Sequence, residues 1–517
     1  MRMIRTHPAV ALIVSLALLN ASPAVAKLQS SPVDARIQVV RDDARTHSAQ
    51  DDERARIARD SVQIHLGIDS AQNHLVRDSA RIPIFRDSVQ IQIVQEDAPL
   101  EPDGSPFPLV EPYPSVSPLD GDHIVVGTIV APTDDESPWH CAAFTSFDRS
   151  ATWERHDFAM ERCIDPWIIF LADDSVLFTG IELQDGFEEA ERFHLVAFQS
   201  DDGGRTWSDE PTSLGRTHDH ELLTVDDEAG TVFITSQRTH PGNLPHVYVG
   251  RVAIERGGVS LVDLAELGAD SLSSMPTGIA VQSDGSLVVT YREYHPVDDS
   301  AHVSYVRAAT ITSGELAGPF DATDKCDIGK SGFPGYPFLA RDESQSAYTG
   351  RLYHACVLPN LTGIGIVHSD DGGRSWSRMI RAEDVGYITS AGASARATSD
   401  AVRSGRPYTR TPMLAVSSDG VVGVAWYDRR NDPERMCQDV YFTASIDRAE
   451  TFLPPRRIST ETTCPGAPAN GRAGRSWPMG GDYSSLTAGP DGSFHLVWAD
   501  SRTGRFQLRH AEIRVEH

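Results

Sequence analysis

One unit recurs seven times along this chain: an apolar run, a tight turn usually carrying Asp and Gly, and a second apolar run. The paired runs lie at 115–119 and 124–130, 167–171 and 176–179, 222–225 and 232–235, 278–281 and 287–291. Three more follow at 337–340 and 352–357, 413–416 and 421–426, and 485–488 and 494–498. Most of the turns are marked by Asp-Gly or Asp-Asp, as at Asp120-Gly121, Asp173-Asp174, Asp284-Gly285, Asp419-Gly420 and Asp491-Gly492. Successive turns stand roughly fifty to seventy residues apart, the length of a four-stranded sheet with its loops. No long helical period interrupts the pattern from Pro106 onward. A short strand pair cannot bury its faces alone, so near-equivalent copies must stack on one another. The predicted fold is therefore all-β, a β-propeller of seven blades.

A second signature follows the strand pair in several copies. It reads Ser146-Phe147-Asp148-Arg149-Ser150-Ala151-Thr152-Trp153, Ser200-Asp201-Asp202-Gly203-Gly204-Arg205-Thr206-Trp207 and Ser369-Asp370-Asp371-Gly372-Gly373-Arg374-Ser375-Trp376. A looser fourth is Ser445-Ile446-Asp447-Arg448-Ala449-Glu450-Thr451-Phe452. The chemistry suits a tight turn: an Asp carboxylate accepts backbone N–H groups, Gly permits positive φ, and the aromatic packs beneath.

These octapeptides resemble the Asp-box (BNR) repeats of the sialidase superfamily. The endings Trp426-Tyr427-Asp428-Arg429-Arg430 and Trp498-Ala499-Asp500-Ser501-Arg502, with Gly481-Asp482-Tyr483, resemble bacterial secreted sialidase-like proteins. The resemblance spans about 106–517 and implies a propeller. Sialidases of this type have six blades, the alternative to the seven strand pairs counted here. The family's opening Arg-Ile-Pro has a letter match at Arg81-Ile82-Pro83, but this falls ahead of the first blade, near Ala-Arg-Ile fragments at 35–37 and 55–57. The family's first arginine is therefore not carried onto Arg81.

Residues 1–26 read as an export signal: Arg2 and Arg5, an apolar run at 10–19, then Ala24-Val25-Ala26 as small cleavage residues. An uncleaved anchor is the other reading, but the run is too short to span a bilayer. No membrane span is predicted, and the expected location is secreted or periplasmic. Residues 27–100 form a polar Asp- and Arg-rich leader with Phe85 as its lone aromatic, too poor in apolar side chains for a core. Its last piece, 89–94, alternates well enough to complete a final blade. Residues 101–517 are assigned to the propeller.

Export makes the six cysteines informative. Their order pairs Cys141 with Cys163, Cys326 with Cys356 and Cys437 with Cys464, one choice among the 15 that six cysteines allow. The first and third pairs bracket an Asp-bearing turn. If that turn joins antiparallel strands, its flanking cysteines return to one end of the hairpin. Buried free thiols are the alternative. The formal charge of −27 argues against a nucleic-acid backbone as partner, so none is expected. It also requires a local arginine cluster for any anionic substrate. Only Lys27, Lys325 and Lys330 are lysines, so the positive charge is nearly all arginine, suited to bidentate carboxylate recognition.

Strand alternation places candidate site residues. The Asp-bearing turn joins a blade's third and fourth strands and shares a face with the turn between the first and second. Residues ending second strands and entering first strands lie on the other face, which the resemblance implies holds the substrate. Second-strand ends supply Arg238, Tyr291-Arg292-Glu293, Asp428, Arg429, Arg430, Asp500 and Arg502. First-strand starts supply His218, Asp219, His220, Glu221, Tyr336, Tyr408, Arg410, Asp482 and Tyr483. Sialidase chemistry would need arginines on a sugar carboxylate, a Tyr nucleophile beside an acidic base, and a carboxylic acid for proton transfer. The catalytic candidates are Arg238, Arg292, Glu293, Asp482 and Tyr483. The substrate-binding candidates are Arg410, Asp428, Arg430, Asp500 and Arg502, although a Trp-x-Asp-x-Arg ending that occurs twice also reads as a structural ion pair. His218-x-His220-Glu221 has two imidazoles but no identified third ligand, so no metal is assigned, and no cofactor. The expected function is a secreted sialidase-like glycoside hydrolase acting on an extracellular glycan, acidic if the arginines are used. A non-catalytic propeller that binds a glycan or a protein is the alternative.

Overall fold

The computed structural model describes residues 61–63, 81–83 and 89–516, apart from 324–325, 327–337, 383–408 and scattered gaps of one to three residues. Among the described residues there are seven four-stranded antiparallel sheets, each the blade of a β-propeller. Blades 1 to 6 occupy residues 109–157, 163–216, 218–267, 273–323, 338–381 and 409–457, with the strands of each in chain order from the axis outward. Every innermost strand touches that of the next blade, and the seventh touches the first, so the ring closes. In a separate unit ending at Phe85, Ser61–Gln63 pairs with Arg81–Pro83. The Arg-Ile-Pro triplet thus lies outside the propeller.

Blade 7 is made from both ends of the propeller sequence. Ser485–Ala488, Phe494–Asp500 and Gln507–Glu516 provide three strands, and Gln90–Pro99 the outermost. Asp97 anchors that outer strand: Thr460 N donates to it at 2.9 Å and Arg502 pairs with it. The propeller therefore begins inside the stretch that composition groups with the leader.

Blades stack face to face, so second strands are buried on both sides. Ile124–Val130, Val422–Asp428 and Phe494–Asp500 are buried at every position, and hence read as largely apolar without alternation. Outer strands such as Glu154–Asp157 meet solvent and read as charged.

The four Ser-x-Asp turns join the third and fourth strands of blades 1, 2, 5 and 6 and repeat one bonding scheme. In the second, Gly204 N donates to Ser200 Oγ at 2.7 Å, and Thr206 N to Asp202 Oδ1 at 2.8 Å. The same pairs recur from Ser150 to Ser146, Gly373 to Ser369 and Ala449 to Ser445. Two consecutive left-handed residues close each turn: Gly203 and Gly204, Gly372 and Gly373, but Arg149 and Ser150, and Arg448 and Ala449 in the other two. Glycine there also lets the turn press on the preceding blade. His123 Nε2 donates to Gly203 O at 2.7 Å, Thr145 Oγ1 to Gly204 O at 3.1 Å and Thr310 Oγ1 to Gly372 O at 2.9 Å.

All six cysteines are paired, and in the expected order: Cys141–Cys163, Cys326–Cys356 and Cys437–Cys464. The reason holds for only one of the two bracketing pairs. Cys437–Cys464 closes the outer hairpin of blade 6, beside a bridge between Gln438 and Thr463. Cys141 instead sits on the third strand of blade 1 and Cys163 opens the innermost strand of blade 2. Cys326 likewise follows blade 4 and joins the second strand of blade 5. These two disulfides staple neighbouring blades. No helix among the described residues is long and apolar enough to cross a membrane.

Candidate functional site

Innermost strands carry a shared irregularity at the end opposite the Ser-x-Asp turns. Register shifts occur at Val110/Tyr113 in Leu109–Val116, Ile164/Trp167 in Cys163–Phe170, and Asp219/Leu222 in His218–Asp226. Two more fall at Pro276/Gly278 in Ser273–Val281 and Arg410/Met413 in Thr409–Val416. In four of the five, the bulged residue has positive φ: Glu111 at 55°, Asp165 at 51°, His220 at 53° and Thr411 at 50°. Left-handed geometry costs an L-residue roughly 1–2 kcal/mol, and such outliers cluster where a side chain must be re-aimed. Proline follows at 112, 166 and 412, tolerated because an innermost strand is a sheet edge. In blades 1 to 3 the bulge takes the side chain out of alternation and brings Glu111, Asp165 and His220 to one acidic mouth.

Acidic groups from four blades converge there. His220 N donates to Asp165 Oδ2 at 3.3 Å. The His220 ring lies between two carboxylates, with Nδ1 3.5 Å from Asp165 Oδ2 and Nε2 3.7 Å from Asp219 Oδ2. Asp482, just ahead of blade 7, donates its N–H to Glu111 Oε1 at 3.0 Å. Glu221 is buried against Thr179 of blade 2. From blade 4, Arg292 is fully buried, with Nη2 2.9 Å from Met275 Sδ, and its charge reaches Asp482 and His220.

Burial and mutual repulsion set the protonation. Burial, then the charges of Asp165 and Asp482, raise Glu111 well above the carboxylate range. Asp165 is pushed up to about 7 by burial, which with the charge of Asp219 outweighs the opposing effect of His220. Glu221 is raised well above its ordinary value by burial and by Asp165. Asp482 is raised by burial against the opposing charges of His220 and Arg292. His220 is raised too: burial opposes its charge, but Asp219, Asp165 and Asp482 outweigh burial. Desolvated like charges cannot all ionise, so protons are retained at neutral pH.

Beside the acids, Trp167, His220, Glu221, Leu222, Pro276, Phe338 and Tyr483 enclose a cavity of about 10 Å³, room for about one water. Tyr113 stacks on Trp167 at 3.6 Å between centroids, and Tyr483 meets Trp167 edge-on at 6.1 Å. A larger cavity of about 470 Å³ lies at the opposite end of the channel, among first-to-second-strand turns carrying Asp226, Gln282, Arg341 and Glu343. The titratable cluster lies beside the smaller cavity and not there.

Of the candidate residues, the structure brings Arg292, Asp482 and Tyr483 to the acidic mouth. Arg410 occupies on blade 6 the register position that Asp219 has on blade 3. It stands near Arg429, which burial and then the charge of Arg410 lower to about 10. The others lie elsewhere. Arg238 pairs with Glu266 at 3.4 Å and faces the Tyr248 ring. Glu293 points away from its neighbour Arg292 and binds Arg307 at 2.9 Å and His295 at 3.3 Å. Asp428 accepts from Trp426 Nε1 at 2.9 Å and Arg430 N at 2.7 Å, and pairs with the Arg430 guanidinium. Asp500 repeats the arrangement with Trp498 Nε1 at 3.2 Å, Arg502 N at 2.8 Å and the Arg502 guanidinium at 2.7 Å. His218 turns away from His220 to bond Ser236 at 2.8 Å, because the bulge lies between them. Tyr336 and Tyr408 fall outside the described residues. Glu111 and Asp165 escape a search of strand ends, since they lie within strands. Their signal is the repeated pair of a polar residue and proline: Glu111-Pro112, Asp165-Pro166 and Thr411-Pro412.

No protein-family model matches the chain, and no curated relative does either. Comparison with solved structures gives similarities at low identity. A protein of unknown function from Dyadobacter fermentans is 11% identical with a TM-score of 0.44, over 82% of this chain and 99% of that one. The Hadza microbial sialidase Hz136 is 12% identical with a TM-score of 0.41, over 75% of each chain. An alpha-L-arabinanase of Penicillium chrysogenum, solved with arabinobiose, is 12% identical with a TM-score of 0.41, over 65% of this chain and 94% of that one.

Proposed function

We propose that this protein is an exported, sialidase-like glycoside hydrolase whose reaction takes place at the acidic channel mouth. The four Ser-x-Asp turns are read as Asp boxes, and three disulfides suit an oxidising compartment outside the cytoplasm. The observation that carries the reading is that Tyr483 and Glu221 line one small cavity, with Asp482 adjoining it and Arg292 behind. Tyr483 is assigned as nucleophile and its neighbour Asp482, whose ionised form His220 and Arg292 favour, as the base that takes its proton. Glu221, raised well above the carboxylate range by burial, is assigned as the acid that protonates the departing glycosidic oxygen. Arg292 and Arg410, on blades 4 and 6, would orient an anionic substituent of an extracellular glycan opposite the acids. The test is turnover of a glycoside panel that includes a sialic acid substrate, by wild type and Tyr483→Phe. Loss of at least about a thousandfold in kcat without loss of fold is expected; a panel without turnover, or a fully active Tyr483→Phe, overturns the assignment.

One observation favours a propeller that binds without reacting. The cavity between Tyr483 and Glu221 holds only about 10 Å³, so a sugar must sit above it on the rim. Glycan binding without hydrolysis would decide for that reading.

A further inference from the structure

The mouth gathers more carboxyl groups than its own cations can balance. Glu111, Asp165, Asp219, Glu221 and Asp482 face one another, while Arg292 and His220 are the positive groups that act on them. Within this set Asp165, Asp219 and His220 each offer a ligand atom, and all three atoms lie within 4.8 Å of one another. Donors on a metal with bonds near 2.1 Å stand roughly 3.4 Å apart, so a small contraction would close the set. A second observation points to the same place. Glu111 is 1% exposed, its Oε1 is taken by the Asp482 N–H, and its Oε2 is buried with no partner. The Asp482 N–H on its Oε1 holds its head group beside the cluster, where Asp165, Asp482 and Asp219 are the charges that act on it. A buried carboxylate oxygen without a donor is costly, and a cation is one way to supply the missing charge.

We propose that Asp165, Asp219 and His220 bind a divalent transition-metal ion, Zn²⁺ or Mn²⁺, beside the buried Glu111 carboxyl. Two carboxylates with one imidazole and no thiolate suit those ions better than the all-oxygen cages of Ca²⁺ or Mg²⁺. Asp219 and His220 are only half-buried, so the ion has a route to the open side of the mouth. The site stands whether or not the mouth hydrolyses a glycoside, because its readout is metal and not turnover.

The experiment uses intact, untagged protein stripped with EDTA and titrated separately with Zn²⁺, Mn²⁺, Ca²⁺ and Mg²⁺, with stoichiometry by elemental analysis and affinity by calorimetry. One equivalent of Zn²⁺ or Mn²⁺ per chain is expected, weakened on the order of tenfold or more in Asp219→Asn and in His220→Gln. Binding unchanged in both variants overturns the site, binding of only Ca²⁺ or Mg²⁺ overturns the metal class, and no stoichiometric binding overturns both. Should either variant fail to fold, X-ray absorption of the Zn²⁺-loaded wild type decides: one imidazole among oxygen donors supports the site, and no imidazole overturns it.

Discussion

His354 offers a measurable test of how dry the propeller interior is behind the mouth. It lies on Leu352–Val357, the second strand of blade 5, and is completely buried. Its Nε2 lies 3.3 Å from Thr277 Oγ1. Burial chiefly, and then the charge of Arg292, push the imidazole down to about 3. In the unfolded chain it titrates near 6.5. The folded value is the lower one, so the fold favours the neutral ring. Its contribution is whole above the unfolded value and is lost as pH falls below about 6.5. Between pH 7 and pH 5 the unfolded chain takes up about 0.7 of a proton that the folded chain refuses, a loss of about 2 kcal/mol. His354→Gln keeps an amide that can bond Thr277 but cannot titrate. Urea unfolding followed by tryptophan fluorescence, at pH 7 and pH 5 in EDTA, gives the difference between wild type and variant at each pH. That difference should shift by about 2 kcal/mol toward the variant at pH 5. Other buried groups, such as His495, pushed down to about 4 by burial, slope the same way and cancel in the comparison. A constant offset would refute the reasoning, since it would mean that His354 is protonated alike in both states.

Two further predictions concern the ring. Gly373→Ala should destabilise by roughly 2–5 kcal/mol, the left-handed cost plus overpacking, because its new Cβ would stand 2.7 Å from Val288 Cγ1 of blade 4 at φ +82°. Gly186→Ala, at φ +88° with nothing within 4 Å, should lose only the backbone part of about 1–2 kcal/mol; equal losses in urea unfolding would show that the turn does not press on its neighbour. Replacing Cys141 and Cys163 together with Ser should cost about 2–5 kcal/mol and open the seam between blades 1 and 2 first. Hydrogen exchange should show early deprotection at that seam, and uniform deprotection around the ring would contradict a local staple.

The architecture is plain in the sequence because it is written seven times. Buried second strands such as 124–130 and 494–500 cannot be read as anything but interior, and four Ser-x-Asp turns at one phase fix the blade order. The first half of Gln90–Pro99 was visible by alternation over 89–94, because Ile91 and Ile93 are less exposed than their neighbours, whereas composition places its second half in the leader. The disulfide pairing could be read from order, but not its purpose, because the return of the chain from blade rim to axis brings Cys163 beside Cys141. The site was harder to read. Strand-end reasoning reaches Asp482, Tyr483 and Arg292, yet assigns Arg238 and Glu293 to the same rim. Arg238 pairs with Glu266 and Glu293 with Arg307, and a side chain's choice between strand faces beyond a bulge cannot be counted from alternation. Glu111 and Asp165 were hidden for the same reason.

The repeats separate structural from chemical residues by a simple physical logic. Where a position does the same work in several blades, its chemistry repeats: Asp148, Asp202, Asp371 and Asp447 all hold their turns, and Asp428 and Asp500 both hold a Trp and an Arg. The bulge is different. Its backbone geometry recurs, with φ between 50° and 55° at four blades, but the side chain presented is Glu111, Asp165, His220 or Thr411. A strained conformation paid for four times and filled three ways with titratable groups is not explained by packing, which a single residue type would serve. It is explained if the ring supplies one pocket with unlike groups, since acid–base chemistry or cation binding needs several different donors at one point. Replacing Thr411, the one non-titrating member of the four, with Ser should therefore leave the mouth's chemistry intact, whereas any change at Asp165 or His220 must alter it.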